Sequence, residues 1–293
     1  MSPYSRREFL KTGIAAGTIA SVGTLPLHAD KPSATDMVTL GKSGVHVTRL
    51  AFGTGSNNGH VQSALGQQQF SKLVAYAYER GIRFYETAES YTTPAMLGEA
   101  LKPYPRESYV LMNKVTTDEG VDPHQRFDEM RRISKTEYFD IMLLHWQHTA
   151  DWFAETSRWQ DGILEAQQKK TIRSRGASVH GLPALRQMPG NKWLEVAMIR
   201  MNHKGVRMDA EDYDTNGLGN VNEVVEHVKQ VRKEGMGVIS MKLVGEGAFT
   251  AREDRQAAMK FAFRNAGVNA VTVGYKNTAE VDEAIENLNL ALA

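Results

Sequence analysis

Short apolar runs alternate with longer stretches of helical spacing along most of the chain, and this alternation limits the folds open to it. The predicted strands lie near residues 49–53, 82–86, 109–114, 139–145, 173–178, 194–200, 236–242 and 270–274. The predicted helices lie near residues 68–80, 95–102, 124–135, 153–169, 182–187, 219–234, 253–264 and 278–290. Strands joined by helical crossovers pair in parallel, because each helix returns the chain to the same edge of the sheet.

The number of strand–helix units favours one parallel architecture. Eight units in about 250 residues fit a closed (β/α)₈ barrel. An open doubly wound sheet is the competing fold, but no GxGxxG follows the first strand, and the glycines of FGTGSNNG at 52–59 have the wrong spacing. Ahead of the barrel, the alternating residues of 37–47 predict a hairpin. The predicted fold class is α/β, a (β/α)₈ TIM barrel with an N-terminal β-hairpin.

The start of the chain has a different character from the rest. SRREFLK at 5–11 precedes a mildly apolar stretch that is too short to span a bilayer comfortably. A charged start, an apolar middle and a small-residue end are typical of a signal peptide, and the adjacent Arg6 and Arg7 resemble the twin-arginine type. The alternative is a solvated terminus followed by a first helix. We predict a twin-arginine-type signal peptide over 1–29 and a single barrel domain over 30–293.

This assignment carries expectations about location and partners. The precursor would meet the twin-arginine export machinery, and the mature protein would be periplasmic or otherwise exported. After cleavage we expect no stable membrane anchor. Twin-arginine export moves folded proteins, and its passengers often carry cofactors loaded before export.

Composition excludes several classes of partner and site. The formal net charge is +1 and there is no long basic block, so we predict small-molecule partners and no nucleic acid. Cysteine is absent, which excludes disulfides, thiolate nucleophiles and metal sites held by cysteine. No HExxH motif, EF-hand loop or paired-histidine spacing is present, so we predict no dedicated metal site.

Polar residues stand where several predicted strands end. Glu86 ends the second strand, Lys114 the third and His145 the fourth, and Tyr91 lies in the loop after the second strand. In a TIM barrel the chemistry gathers at the carboxyl ends of the strands. A lysine and a histidine after apolar runs are costly to bury, and the barrel mouth tolerates such a cost. We therefore expect these four side chains to share one mouth.

The same four residues suggest acid–base chemistry on a carbonyl compound. A phenol titrates near pH 10, and an adjacent ammonium at Lys114 would lower the pKa of Tyr91. Glu86 would keep the lysine protonated, and His145 would position the substrate oxygen. Taken singly, the residues have structural explanations: Tyr91 as a rim aromatic, Lys114 as a strand-end cation and His145 as a hydrogen-bonded core histidine.

Several longer strings resemble the aldo/keto reductase family. They are FYETAESYTTPAMLGEAL, YVLMNKV, YFDIMLLHWQH, IRSRGAS, GVISMKLVGEG and VTVGYKNTAEVDEAIE, in the family's order from about Met37 to the C-terminus. The resemblance implies a barrel that binds NADP(H) or NAD(H) without a Rossmann motif and reduces aldehydes or ketones by hydride transfer. The family's catalytic tyrosine, lysine and histidine match Tyr91, Lys114 and His145. Its aspartate falls on Glu86, which is one methylene longer.

The resemblance also implies positions that bind the cofactor. They are Gly53, Ser178, Asn202, Met241, Lys242, Leu243, Gly245, Gly274, Lys276, Glu280 and Glu283. Met241 stands in place of the usual stacking aromatic residue, and Glu280 in place of the arginine that clasps the 2′-phosphate. Because a carboxylate repels a phosphate, this position weakens the preference for NADPH and favours either NADH or weak binding of any dinucleotide.

Two functions remain open from the sequence. The first is an exported NAD(P)H-dependent oxidoreductase that reduces an aldehyde or ketone to an alcohol, with Tyr91 as the general acid. The second is a catalytically silent barrel of the same ancestry that serves as a binding or scaffold protein. The departures from the family's pattern motivate the second, and they fall at Glu86, Val179, Met241, Glu280 and Ala284.

Overall fold

Ten strands and ten α-helices are distributed over the part of the chain that the computed structural model describes, residues 31–212 and 217–293. The strands are β1 (Met37–Thr39), β2 (His46–Thr48), β3 (Leu50–Gly53), β4 (Phe84–Glu86), β5 (Val110–Val115), β6 (Phe139–Gln147), β7 (Ile172–Val179), β8 (Val196–Arg200), β9 (Gly237–Met241) and β10 (Ala270–Gly274). The helices are α1 (His60–Ser63), α2 (Gly66–Glu79), α3 (Pro94–Leu101), α4 (Pro123–Ile133), α5 (Trp152–Glu155), α6 (Ser157–Gln168), α7 (Leu182–Leu185), α8 (Val221–Lys233), α9 (Arg252–Lys260) and α10 (Thr278–Leu292).

Strands β3 to β10 form a closed barrel, which confirms the predicted (β/α)₈ fold. Neighbours in the chain pair in parallel, and β10 closes the ring by pairing with both β9 and β3. The helices between the strands supply the crossovers that parallel pairing requires. All carboxyl ends of the strands therefore meet at one open end of the barrel, which we call the mouth.

Alternate residues of the barrel strands face opposite sides, and this separates two apolar cores. One core fills the barrel and contains Phe84, Met112, Ile141, Leu143, Val196, Met198, Ile239 and Met241. The other lies between the barrel and the helices and contains, among others, Phe52, Tyr85, Leu111, Met142 and Ile199. A two-residue period thus decides which side chains of a strand enter the barrel.

The predicted hairpin closes the end of the barrel opposite the mouth. β1 and β2 pair antiparallel, and Leu40 and Val47 join the core inside the barrel. Gly41 forms a bridge with Met236, directly before β9. Gly237 has no room for a side chain, because a Cβ there would lie 2.4 Å from Leu40 Cγ. Solvent and ligands therefore reach the barrel interior from the mouth.

Two predicted helices differ from the structure. The helix expected over 153–169 divides at Thr156, where the Phe153 carbonyl accepts from the side-chain amide of Gln160 instead of from the Ser157 N–H that a continuous helix would use. The helix expected over 253–264 changes to a π-helical turn over Phe261–Ala266. Apolar spacing does not detect either change, since both depend on local hydrogen bonds.

The predicted signal peptide of residues 1–29 lies outside the described residues, and its boundary with the barrel domain stays a prediction. Residues Pro32–Ala293 form one compact unit. In the described ranges, no helix is both long enough and apolar enough to cross a membrane.

Candidate active site

The inward-facing residue at the end of each barrel strand contributes to the mouth. These positions are Gly53, Glu86, Lys114, His145, Ser178, Arg200, Met241 and Gly274. They continue the two-residue period of the side chains that fill the barrel. Seven of these eight residues were predicted from the sequence as site residues, and Arg200 was not.

Glu86 and Lys114 form a buried ion pair on adjacent strands, with side chains 4% and 1% exposed. Lys114 Nζ also donates to the Thr87 carbonyl at 2.7 Å. Burial lowers the pKa of Lys114, and the Glu86 carboxylate opposes that shift. The pair holds a charged amine in a site from which water is largely excluded.

The extra methylene of Glu86 is accommodated by the missing side chain at Gly53. Thr272 Oγ1, on the far side of β3, donates to Glu86 Oε2 at 3.2 Å. A Cβ at residue 53 would lie 2.5 Å from that hydroxyl and 3.1 Å from Glu86 Oε2. The glutamate therefore reaches both Lys114 and Thr272, and neither the lysine nor the strand has to leave its place.

The ring of Tyr91 lies between Lys114 and His145. Lys114 Nζ is 4.7 Å from the ring centroid, and the His145 ring packs edge to face with its centroid 5.7 Å away. Gly55 packs against the phenol end of the ring, since a Cβ at residue 55 would lie 2.4 Å from Tyr91 Cε2 and 2.6 Å from the phenol oxygen. Gly55 is a site residue that the sequence did not single out.

The pKa of the Tyr91 phenol is raised well above its ordinary value of 10.0, because burial disfavours the phenolate and the carboxylates of Glu86 and Glu246 repel it. The lowered pKa expected from the sequence is therefore wrong for the protein on its own. The charge of Lys114 is already matched by Glu86, so it cannot offset the burial of the phenol.

Two neutral histidines lie at the mouth. Burial and the positive charges of Lys114 and Lys242 lower the pKa of His145 well below 6.5. His180, whose ring centroid is 6.3 Å from that of His145, also has a pKa well below 6.5, because it is buried and lies near Arg200. His180 was missed from the sequence; its one signal is a histidine directly after the fifth barrel strand.

A groove leads from the mouth past the ends of β9 and β10. Its inner part, about 80 Å³, is lined among others by Gly53, Tyr91, Met241, Lys242, Leu243 and Gly274. Its outer part, about 440 Å³, is lined among others by Gly274, Lys276, Glu280, Glu283 and Arg255. The two parts adjoin each other, since both are lined by Ser56, Val244, Glu246, Val273 and Gly274. Eight of the eleven predicted cofactor positions therefore share one groove.

Asn202 is buried and lines neither part, because its amide bonds to backbone groups of its own loop and of the loop after β9. Nδ2 donates to the carbonyl oxygens of Val206 at 2.7 Å and Lys242 at 3.2 Å. Oδ1 accepts from the backbone N–H groups of Lys204 and Val206, both at 3.1 Å. An amide has two donors and two acceptor sites, so Asn202 ties the loop after β8 to the loop after β9.

Ser178 and Gly245 are the other two predicted cofactor positions that do not line the groove. Ser178 is fully buried, with Oγ 3.5 Å from His180 Nε2 and 3.9 Å from Met241 Sδ. Gly245 has a φ of 59°, and a Cβ there would lie 3.1 Å from Ala248 Cβ. Gly245 thus allows a tight turn in the loop after β9 that a residue with a side chain would strain.

Glutamates hold the cations at the outer part of the groove. Glu280 accepts from the Lys276 backbone N–H at 2.7 Å, and its carboxylate lies 3.7 Å from Lys276 Nζ. Arg255 donates to both oxygens of Glu283, at 2.6 and 2.8 Å. Arg255 was missed from the sequence, where it is one of two arginines in a helix rich in charge. A phosphate monoester entering here meets two carboxylates as well as two cations.

Within the described ranges, no group of three or more histidines and carboxylates is arranged to hold a metal ion.

Comparison with known proteins relates this arrangement to a family. The model of the Aldo/keto reductase family matches residues 49–293. An aldo-keto reductase of Mycolicibacterium paratuberculosis is 26% identical over 178 residues, which are 54% of this chain and 61% of that protein. The curated relatives are matched over parts of their length that range from 23% to 65%.

Solved structures share the fold at low sequence identity. The holo form of an aldo-keto reductase from Bacillus halodurans has a TM-score of 0.69 at 18% identity, covering 88% of this chain and 95% of that one. An aldo-keto reductase from Klebsiella pneumoniae in complex with NADPH has a TM-score of 0.64 at 16% identity, covering 87% and 89%. With the family model spanning the whole barrel, the chain belongs to the aldo/keto reductase family.

Proposed function

We propose that the protein is an NAD(P)H-dependent oxidoreductase that reduces an aldehyde or ketone to an alcohol, with Tyr91 as the general acid. The observation that carries this proposal is the contact of the Tyr91 ring with both Lys114 and His145 at the inner end of the groove. This arrangement offers a proton donor, a cation and a neutral hydrogen-bond donor to one substrate oxygen.

A nicotinamide dinucleotide fits the groove. Gly274 lines both parts of the groove, and it carries no side chain because Ser56 packs against it: a Cβ at residue 274 would lie 2.1 Å from Ser56 Oγ. Met241 would contact the nicotinamide end with its polarizable thioether, and Lys242 would hold the centre. When bound, the dinucleotide supplies a hydride to the carbonyl carbon. The related Klebsiella pneumoniae protein was crystallised in complex with NADPH.

The residues of this chain would divide the remaining work. Tyr91, kept protonated by its raised pKa, would give its phenol proton to the carbonyl oxygen as that oxygen gains negative charge. The phenolate left behind would then be stabilised by the ammonium of Lys114, which Glu86 holds in place. A neutral His145 would donate a ring N–H to the same oxygen without bringing a further positive charge beside Lys114.

The charges at the outer part of the groove support NADH as the preferred cofactor. Glu280 and Glu283 both line that part, and a 2′-phosphate would lie near their carboxylates. The 2′-hydroxyl of NADH can instead donate a hydrogen bond to a carboxylate.

We also propose that the protein acts outside the cytoplasm. The support is SRREFLK at residues 5–11 and the resemblance of this string to a twin-arginine signal. Replacing Arg6 and Arg7 with lysine should leave the precursor in the cytoplasmic fraction, whereas the unmodified chain should be found in the periplasm. Equal distribution of the two forms between the fractions would contradict export by this route.

Binding and turnover test the activity separately. We expect NADH, and more weakly NADPH, to bind the purified protein with saturable nicotinamide fluorescence. A Tyr91→Phe variant should bind the cofactor as the parent does but lose carbonyl reduction by about 10²- to 10⁴-fold, because only the proton donor is removed. If neither dinucleotide binds, a catalytically silent barrel is the better description. If the variant keeps full activity, Tyr91 is not the acid.

A further inference from the structure

Glu246 lies where the inner and outer parts of the groove meet, and its side chain lines both. Its Oε1 accepts from Lys242 Nζ at 2.6 Å, and its Oε2 lies 3.3 Å from Arg207 Nη1. Glu246 is 20% exposed, Lys242 26% and Arg207 48%. These three residues, which we call the junction cluster, link the loop after β9 with the loop after β8.

All three members of the junction cluster have a left-handed backbone. The φ angles are 52° at Arg207, 55° at Lys242 and 55° at Glu246. Residues other than glycine, asparagine and aspartate rarely adopt this conformation, which costs free energy that the surroundings must supply. The fold therefore maintains strain at the three positions that bring these charges together.

The balance of charge around the junction defines what could bind there. The cations at the outer part of the groove already have carboxylate partners, Arg255 with Glu283 and Lys276 with Glu280. Among the residues that the structure describes, Lys242 and Arg207 pair with a single carboxylate, so the junction cluster has a formal excess of one positive charge. An anion that carries more charge than one carboxylate would satisfy both cations better than Glu246 does.

The position of the junction matches one part of an extended dinucleotide. Such a ligand has its diphosphate between the nicotinamide and adenosine ends, and the junction lies between the inner and outer parts of the groove. If Glu246 kept its place, its carboxylate would face the diphosphate and repel it. The glutamate must therefore leave Lys242 and Arg207 when the groove fills.

We propose that Glu246 is an internal stand-in for an anionic ligand: in the free protein its carboxylate occupies a diphosphate subsite formed by Lys242 and Arg207, and a diphosphate group binds by displacing it. The identity of the full ligand rests on the proposed function, but the subsite itself requires only a diphosphate. Displacement would also move a negative charge away from Tyr91, so filling the subsite would act on the proton donor as well.

Binding of inorganic pyrophosphate, NADH and NADPH tests the proposal by calorimetry at fixed salt concentration. We expect Glu246→Gln to lower the dissociation constant for pyrophosphate about tenfold, which corresponds to about 1.4 kcal/mol, because no carboxylate then competes for the cations. The dissociation constant for NADH should fall in the same direction. Glu226→Gln, which makes the same charge change on the exposed face of α8, serves as the matched control and should change neither constant.

Two further variants keep the test decisive. Glu246→Gly removes the carboxylate with a residue that adopts a φ of 55° without strain, so it replaces Glu246→Gln if that variant folds poorly. Adding Lys242→Met to Glu246→Gln should abolish the gain in pyrophosphate affinity. Thermal unfolding of each variant shows whether the fold is retained.

The outcomes separate this inference from the proposed function. If Glu246→Gln and Glu246→Gly bind pyrophosphate no more tightly than the parent and Glu226→Gln do, Glu246 is not a stand-in, even if NADH binds all four proteins. If they bind pyrophosphate more tightly while neither dinucleotide binds any variant, the diphosphate subsite stands and the proposed nicotinamide chemistry fails.

Discussion

The surroundings of Tyr91 oppose ionisation of its phenol. We therefore expect the proton to leave only after the substrate oxygen has gained negative charge. The phenol is half-buried against Gly55, and its nearest cation is neutralised by Glu86. A proton donor with a raised pKa stays fully protonated at neutral pH and gives up its proton only to a strong base. An oxygen that becomes an alkoxide during reduction is such a base. After the transfer, the ammonium of Lys114 stabilises the phenolate.

The raised pKa of Tyr91 predicts the alkaline side of the pH profile. We expect kcat/KM for the aldehyde to keep its value as the pH rises through 9 and to fall only above the ordinary phenol pKa of 10.0. This kcat/KM reports the enzyme–dinucleotide complex, in which Tyr91 is still buried and Lys114 is still paired with Glu86. Steady-state rates with a saturating dinucleotide and limiting aldehyde would measure it. An alkaline decline centred between pH 7 and 8 would show that another group is the acid, or that Lys114 governs the phenol after all.

Gly55 predicts a second effect on the same residue. Gly55→Ala would place a methyl group 2.4 Å from Tyr91 Cε2, so the ring must leave its present position between Lys114 and His145. We expect folding and dinucleotide binding to persist while carbonyl reduction falls by about 10²-fold or more. Because both changes remove the same proton donor, Gly55→Ala combined with Tyr91→Phe should be no less active than Tyr91→Phe alone. Additive losses would mean that Gly55 acts elsewhere.

At the scale of elements, apolar spacing predicted every barrel strand and the helix after it to within a few residues. The barrel strands are buried on both faces and so appear as short continuous apolar runs, whereas each helix buries one face and keeps the period of 3.6. The break at Thr156 and the π-helical turn over Phe261–Ala266 were not predictable from this pattern. Both arise from hydrogen bonds between neighbouring groups, which leave the apolar spacing unchanged.

The loops after β8 and β9 act as one element, because Asn202 joins them. We expect Asn202→Ala to lower the free energy of unfolding by about 1–3 kcal/mol, since it leaves the buried partners of its amide without hydrogen bonds. Urea unfolding would measure the loss, and dinucleotide binding should weaken as the loop loosens. If Asn202 instead contacts the cofactor directly, the variant should bind poorly while its unfolding free energy is unchanged.

For the whole molecule, the barrel topology explains which parts of the site the sequence could reveal. Glu86, Lys114 and His145 were predictable as neighbours, because parallel strands bring their carboxyl ends to one mouth whatever the loops do. The way in which the groove charges pair was not, because the pairing of Arg255 with Glu283 and the position of Glu246 depend on loop conformations. Strand ends are fixed by the fold, whereas loop side chains are fixed only by their local contacts.

The two neutral histidines of the mouth couple the site to the acid stability of the whole protein. The pKa values of His145 and His180 lie well below 6.5 in the folded state, because both are buried near positive charges. As the pH falls below 6.5, the unfolded chain gains protons on these histidines while the folded protein does not. The free energy of unfolding must then fall, by up to about 1.4 kcal/mol per pH unit for each histidine. The loss ends once the pH passes the folded-state pKa values.

We therefore expect a variant that carries both His145→Gln and His180→Gln to lose less stability between pH 7.5 and pH 5 than the parent does. Urea unfolding at several pH values would give the two slopes, and the exposed His60 replaced with glutamine controls for the substitution itself. Parallel curves for the double variant and the parent would mean that these histidines already take up protons in the folded protein. In that case a charged His145 would stand beside Lys114, and the role of His145 as a neutral donor to the substrate oxygen would have to be abandoned.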